Sequence, residues 1–305
     1  MRYAAGLDGG GTKTAVTVIG AGGEVADVFT SGGINYNGQD EESIRVSLEQ
    51  MLGRISDACG GLHQCASICV GAAGVSNPVV AERLTAIIRA SGYGGPLYIT
   101  GDHETALYGT LGSPVGLLLI AGTGSICYGR SESGLTHRAG GCGHLIDDEG
   151  SGYSIGRELI RAVVKANDGR APKTAITELL YGSLGLSSVR ELIGYVHDKS
   201  RSKRDIASLA PLLTAACAAG DEAAWTIVNQ SASALLELVE PVAEQLSMQE
   251  GKLVLAGSVL LRNKDIRSAF EQRLGQSYPR MSCVQAPDHA ASMGAAQIAW
   301  MRVSG

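Results

Sequence analysis

Residues 6–14 read Gly-Leu-Asp-Gly-Gly-Gly-Thr-Lys-Thr; the apolar run Tyr3–Leu7 leads into this stretch, and the apolar run Ala15–Ile19 follows it. Both runs are typical of β-strands, and the second is too rich in β-branched residues to begin a helix. Rossmann and Walker loops must open a helix, because the helix N-terminus is their phosphate site. The stretch therefore predicts a glycine-rich β-hairpin instead.

This predicted hairpin has the residues of a phosphate-binding loop. Gly9, Gly10 and Gly11 lack side chains, so backbone N–H groups can approach a phosphate closely. Asp8 at the mouth could hold a hydrated magnesium ion, and Thr12 offers a hydroxyl group. The alternative is a tight glycine turn that binds no ligand.

The same arrangement occurs a second time in the chain. Val115–Ile120 reads as a buried strand, residues 121–125 as a second turn (Ala-Gly-Thr-Gly-Ser), and Ile126–Gly129 as the strand that follows. Each loop leads into a hairpin of similar plan. Two loops of this kind suit a nucleoside triphosphate, whose negative charge is distributed along its length.

Composition favours a two-domain enzyme of the cytoplasm. A length of 305 residues predicts two domains, and a net charge of −5 without a basic run argues against nucleic acid as the main partner. The longest apolar stretches are far shorter than the ~18 residues of a membrane span. The chain also begins directly with the first strand, so no signal peptide is expected. Seven cysteines without a Cys-x-x-Cys pair indicate a reducing compartment.

The order of predicted elements is that of an α/β protein built from two ribonuclease-H-like units. Each half shows three strands, a helix, a strand, a helix and a strand, and the second half carries a helical insertion from about Gly150 to Ser247. Glycine and proline interrupt the pattern near Gly109–Pro114. We therefore expect domains at 1–112 and 113–305 with a nucleotide cleft between them, and the last helix could pack back on the first domain.

Asp102 is the candidate general base. It follows the predicted strand Leu97–Thr100, and open α/β sheets place their chemistry at the carboxyl ends of such strands. Phosphoryl transfer needs little more than positioning, charge neutralisation and a group that deprotonates the attacking hydroxyl. The alternative role for Asp102 is an ordinary N-cap of a helix that begins near Glu104. His103 is interpreted as a surface or helix-start residue.

Four motifs together resemble the N-acetylglucosamine kinase family, over essentially the whole chain. The family belongs to the superfamily of sugar kinases, actin and heat-shock chaperone ATPases, and includes related activator ATPases. The motifs, which occur in the family's order, are Gly6–Thr14, Gly101-Asp102, Ala121–Ser125 and the glycine-rich and acidic stretch Gly140–Ser151.

The resemblance implies a role for each matching residue, with ATP as co-substrate, Mg²⁺ as cofactor and a homodimer as the assembly. Asp102 matches the catalytic aspartate, which also contacts the sugar, and Asp8 the residue that holds Mg²⁺ through water. The phosphate-binding and adenosine-binding positions are Gly9, Gly10, Gly11, Thr12, Lys13, Gly122, Thr123, Gly124, Gly257 and Ser258. The sugar-binding positions are Asn35, Ser125, Gly141 and Asp148.

The expected activity is phosphorylation of N-acetylglucosamine at its 6-hydroxyl, with glucosamine and N-acetylmuramic acid as alternative substrates. The chain departs from many family members at Asn37 and Cys142, where they carry aromatic residues, and at Asp147, where they carry glycine. Loss of the rings weakens the case for stacking on an acetamido group, and an extra acid could favour a cationic amino sugar. A nucleotide-driven activator or sugar-responsive regulator is the alternative from another class.

Overall fold

The chain forms two compact units, one of residues 1–115 with 286–305 and the other of residues 116–285. The computed structural model describes residues 2–10, 13–36, 39–75 and 77–304. The chain passes into the second unit three residues after the expected boundary at 112/113, and its last helix belongs to the first unit.

The first unit is built on a five-stranded mixed sheet with the order β3-β2-β1-β4-β5. Strands β1, β2 and β3 form an antiparallel meander, and β4 and β5 continue parallel to β1. The strands are β1 (Tyr3–Gly9), β2 (Lys13–Gly20), β3 (Val25–Gly32), β4 (Cys65–Ala72) and β5 (Leu97–Thr100).

The described residues of the first unit also form the helices α1 (Glu41–Cys59), α2 (Pro78–Ala90), α3 (Asp102–Leu111) and the C-terminal helix α12 (Ala290–Ser304). The 3₁₀ turn Leu62–Gln64 leads into β4. Buried aliphatic side chains of α1 pack on β1, β2 and β4, while a smaller cluster of alanines joins α12 to the same strands.

Helix α12 packs so closely on β1 and α3 that main-chain atoms lie against main-chain atoms. A Cβ at Gly6 of β1 would overlap main-chain atoms of Ser292 and Ala296, and a Cβ at Gly109 of α3 would overlap the carbonyl of Ala290. The glycines in β1 and α3 therefore permit the close packing that fixes both elements. Asp8 and Asp102 lie on these two elements.

The second unit repeats the plan, with the sheet order β10-β9-β6-β7-β8. The central strand β6 is antiparallel to β7 and parallel to β9, as β1 is to β2 and β4. Both sheets have ribonuclease-H-like order, which confirms the predicted fold class. The strands are β6 (Gly116–Ala121), β7 (Ser125–Arg130), β8 (Thr136–Gly140), β9 (Gly251–Ala256) and β10 (Met281–Gln285).

Eight helices surround this second sheet. They are α4 (Gly152–Asn167), α5 (Ile176–Leu184), α6 (Val189–His197), α7 (Lys203–Ala207), α8 (Leu212–Ala218), α9 (Glu222–Gln245), α10 (Ser258–Arg262) and α11 (Lys264–Ser277). Residues 198–202 separate α6 from α7, and the short α10 was not predicted. Nowhere in the described part of the chain is a helix both long and apolar enough to cross a membrane.

Candidate functional site

Asp8 lies near the end of β1, the central strand of the first unit, and its carboxylate is in an unfavourable place for a charge. Partial burial raises the pKa of Asp8 to about 6, the nearby Asp102 carboxylate adds to this effect, and Lys13 opposes it. The structure thus brings together Asp8, Lys13 and Asp102, which the sequence places in different elements. Two neighbouring carboxylates of this kind are a common feature of functional sites.

Asp102 is the first residue of α3, and the N-cap is Gly101. The alternative of Asp102 as an N-cap is therefore wrong. Asp102 Oδ1 accepts the main-chain N–H of His103 at 2.9 Å, and 39% of the Asp102 side chain is exposed. The carboxylate is thus held at one oxygen while it stays accessible for chemistry.

Gly71 of β4 determines how closely α3 approaches the sheet. Gly71 pairs with Asp8 on one side and with Thr100 on the other. A Cβ at Gly71 would overlap the buried side chain of Thr105, whose hydroxyl donates to the carbonyl of Asp102 at 2.9 Å. A glycine that sequence analysis did not single out therefore places Asp102 beside Asp8.

The first glycine loop is hydrogen-bonded to the segment that leads to Asn35. Gly10 N–H donates to Asp8 O at 3.2 Å, and Ile34 N–H donates to Gly10 O at 3.1 Å. Ile34 is fully buried, so it anchors the segment that carries Asn35 next to the loop. Gly9 faces Ile34 at a distance that leaves no room for a Cβ. The predicted residues Gly11 and Thr12, and the noted position Asn37, lie outside the described residues.

Asp8→Asn should stabilise the ligand-free protein at neutral pH. The pKa of Asp8 is raised from an unfolded value of 3.8 to about 6, so its favourable contribution is complete below pH 3.8 and is lost as the pH rises through 6. At pH 7.5 removal of the charge should stabilise the fold by up to about 3 kcal/mol, since each pH unit between the two pKa values is worth about 1.4 kcal/mol.

Thermal unfolding without nucleotide and with a chelator, from pH 4 to 8, measures this effect. The difference in Tm between Asp8→Asn and the wild type should shrink as the pH falls. Asp57→Asn removes an exposed carboxylate on α1 and is the matched control. A Tm advantage that is absent at pH 7.5, or equal at all pH values, contradicts the prediction.

In the second unit, Asp148 is fixed directly against the second glycine loop. Its Oδ1 accepts the N–H of Ser125 at 3.1 Å, and a Cβ at Gly124 would come within 2.6 Å of the same oxygen. Only 3% of Asp148 is exposed, and its φ of 71° is uncommon for a non-glycine residue. Backbone strain held by burial and hydrogen bonds is a mark of functional positions.

The N-terminus of α4 and the start of α10 both meet the second loop. Gly152 N–H donates to Gly122 O at 2.7 Å, and Tyr153 N–H donates to Thr123 O at 3.3 Å. Gly257, with a φ of 86°, approaches Ala121 so closely that a Cβ would overlap its carbonyl group. The structure therefore brings Gly257 and the following Ser258 to the second loop.

The segment from Gly141 to Asp147 folds back on itself. Gly141 N–H donates to Ser125 O at 2.9 Å, with a φ of 73° at the glycine. Asp147 Oδ2 accepts the N–H of Cys142 at 2.8 Å, so the extra acid closes the turn. His144 packs edge-on against Tyr153, with ring centroids 4.7 Å apart. His144 therefore has a structural role through its contact with Tyr153. Asp147 has a local hydrogen-bond partner, the N–H of Cys142, which the sequence did not predict.

Metal-binding residues are sparse in this site. Residues 2–10, 13–36, 39–75 and 77–304 contain no group of three His, Cys, Asp or Glu side chains that could hold a metal ion. The seven cysteines are all free thiols. Asp8 and Asp102 are the two neighbouring carboxylates of the first unit.

Comparisons with known proteins cover almost the whole chain. The model of the BadF/BadG/BcrA/BcrD ATPase family matches residues 5–299. An N-acetylmuramic acid/N-acetylglucosamine kinase of Clostridium acetobutylicum is 35% identical over 297 residues, 95% of this chain and 96% of that protein. An N-acetyl-D-glucosamine kinase of Dictyostelium discoideum is 32% identical over 312 residues, 96% of each chain. A solved structure from Chromobacterium violaceum, of a protein proposed to be an N-acetylglucosamine kinase, superposes with a TM-score of 0.80 at 23% identity, and covers 98% of this chain and 99% of that one.

Proposed function

Since the chain belongs to the BadF/BadG/BcrA/BcrD ATPase family, we propose that it is an ATP-dependent kinase that phosphorylates an amino sugar. The two relatives from Clostridium acetobutylicum and Dictyostelium discoideum, which are kinases of N-acetylglucosamine, support this activity. They also confirm the resemblance to N-acetylglucosamine kinases on which the site residues were assigned.

The observation that carries the proposal is the placement of Asp102. Its carboxylate begins α3, lies beside Asp8 at the carboxyl ends of parallel strands, and remains partly exposed. In the proposed reaction Asp102 accepts the proton of the sugar 6-hydroxyl while the hydroxyl oxygen bonds to the γ-phosphorus of ATP. The bond from that phosphorus to the bridging oxygen breaks, and ADP leaves.

We assign the remaining roles from the motifs and from the contacts within each unit. Gly9, Gly10 and Lys13 would bind phosphate in the first unit, and residues 122–124 would do so in the second, with Gly257 and Ser258 against the adenosine. Asn35 can both donate to and accept from sugar hydroxyls. Asp148 would accept hydrogen bonds from sugar hydroxyls, while its Oδ1 continues to accept the hydrogen bond from the N–H of Ser125. The N–H of Ser125 donates to Asp148 Oδ1, and the N–H of Gly141 donates to the carbonyl of Ser125.

Asp8 fits Mg²⁺. Its raised pKa shows that burial and the Asp102 charge disfavour the carboxylate, and a cation beside it would remove that penalty. Mg²⁺ commonly binds one or two carboxylates together with phosphate oxygens and water, which is what Asp8 and a bound nucleotide can offer. When bound, the ion neutralises charge on the transferring phosphoryl group. Asp8 would hold it through water, while Lys13 supplies a second positive charge.

Among the alternative sugars, we place N-acetylglucosamine ahead of glucosamine, because both relatives named above are kinases of N-acetylglucosamine. Asp147, the acid that could attract a cationic amino group, is engaged with the N–H of Cys142 at 2.8 Å and closes a turn. This hydrogen bond leaves the charge of Asp147 in place, so glucosamine stays among the sugars to be tested. N-acetylmuramic acid, a substrate of the Clostridium acetobutylicum relative, remains the competing substrate.

ADP release with Mg-ATP and a panel of the three sugars tests this function. N-acetylglucosamine should be phosphorylated with a kcat of about 1–100 s⁻¹, the usual range for kinases. If N-acetylmuramic acid or glucosamine gives a kcat/KM more than about tenfold higher, which is ~1.4 kcal/mol of transition-state binding, the assignment moves to that sugar. ATP hydrolysis that no sugar stimulates would instead support the activator or regulator class. The homodimer and the cytoplasmic location stay predictions.

A further inference from the structure

His103 sits against the proposed general base. Its ring Nδ1 lies 3.5 Å from Asp102 Oδ1, and its main-chain N–H donates to the same oxygen at 2.9 Å. Only 21% of the His103 side chain is exposed. His103 is the second residue of α3, in agreement with its interpretation as a helix-start residue, but its imidazole is held next to the carboxylate and is not freely solvated.

Gly101 makes room for this ring. A Cβ at Gly101 would lie within 2.7 Å of His103 Nδ1 and would overlap Cε1. The backbone of Gly101, with φ −67° and ψ 143°, is an extended conformation that any residue adopts. The backbone conformation at position 101 therefore does not require glycine. The position of the His103 imidazole does, because it leaves no room for a Cβ there.

We propose that His103 is a positioning residue that holds Asp102 in one orientation, with Nδ1 toward Oδ1, so that Oδ2 is left to accept the proton of the sugar hydroxyl. This inference rests on the proposed function. Within the described residues no hydrogen bond reaches Asp102 Oδ2. A misplacement of about 1 Å can cost roughly 100-fold in rate, so a contact that fixes the orientation of the carboxylate contributes to catalysis.

Three substitutions of His103 separate positioning from simple packing. The amide nitrogen of His103→Asn takes the place of Nδ1, whereas that of His103→Gln takes the place of Nε2, and His103→Ala supplies neither nitrogen. His103→Ala and His103→Gln should lower kcat by about 10- to 100-fold, the scale of a misplaced catalytic group. His103→Asn should stay within about threefold of the wild type, and KM for ATP should change little in all three variants.

Gly101→Ala provides an independent test, since it displaces the ring without changing either side chain. It should lower kcat about as much as His103→Ala. In an Asp102→Asn background, His103→Ala should have no further effect on kcat, because the base that it orients is gone. Tm values of all variants are measured alongside to exclude loss of folded protein.

The inference is overturned if His103→Ala keeps wild-type kcat, if His103→Gln is as active as His103→Asn, or if the losses are additive with Asp102→Asn. These outcomes leave the proposed function intact, since they require an active wild type. A wild-type protein without sugar-stimulated turnover would overturn the proposed function itself and this inference with it.

Discussion

Asp102→Asn is expected to lower kcat by about 10²–10⁴-fold, the usual contribution of a general base. Asparagine keeps the size of the side chain and an acceptor for the His103 N–H, but it cannot take a proton. Affinity for ATP should change little. Steady-state kinetics with N-acetylglucosamine and Mg-ATP measure kcat and both KM values, and nucleotide binding measured separately checks that the site still forms.

Glu104→Gln is the matched control for Asp102→Asn. Glu104 lies in the same first turn of α3 as Asp102, and each substitution removes one negative charge there. Both variants therefore change the electric field at the helix N-terminus in a similar way. Glu104→Gln should keep most of the wild-type kcat. If Asp102→Asn retains more than about a tenth of the turnover, a general-base contribution of the usual size is absent, and Asp102 only binds or orients the sugar.

Gly6→Ala is expected to destabilise the first unit by at least about 3 kcal/mol, beyond the usual cost of one extra methyl group in a core. The new Cβ would overlap main-chain atoms of Ser292, Ala295 and Ala296 on α12. Main-chain atoms cannot rotate away as a side chain can, so β1 or α12 must shift. Asp8 lies two residues further along β1, and activity should fall together with stability.

Gly53→Ala is the control for this second prediction. Gly53 is an exposed residue inside α1 of the same unit, and an added Cβ there meets nothing within 4 Å. The substitution should raise stability by about 0.5–1 kcal/mol, because alanine loses less conformational freedom in a helix. Calorimetric Tm values compare the two variants. A Gly6→Ala protein with wild-type Tm would show that α12 does not pack on β1 as described.

The elements could be predicted from the sequence because their signals are local. The apolar runs beside Gly6–Thr14 indicate strands, the spacing of Ile44, Leu48 and Met51 indicates the buried face of α1, and Gly92 marks where α2 must already have ended. The two repeated loops and the acid after β5 likewise follow from short stretches. The short helix α10 escaped prediction because five residues carry too little periodicity.

The positions of the site residues relative to one another were decided by the tertiary structure. Which residue begins α3 depends on backbone geometry at Gly101, and the raised pKa of Asp8 depends on burial and on Asp102, more than 90 residues away in the chain. The roles of Gly71 and His103 likewise appear only when Thr105 and the Asp102 carboxylate lie against them.

The sequence by itself thus determined the type of the longer elements, the ribonuclease-H-like plan of the two units and the identity of the candidate base. Backbone propensity and hydrophobic periodicity act over a few neighbouring residues, and a single chain displays them directly. Only the tertiary structure decided which glycines are required by contact, how Asp147 and Asp148 are engaged, and which carboxylate carries an unfavourable charge. Steric overlap, hydrogen bonding and desolvation depend on atoms that meet in space, and no local pattern encodes those distances.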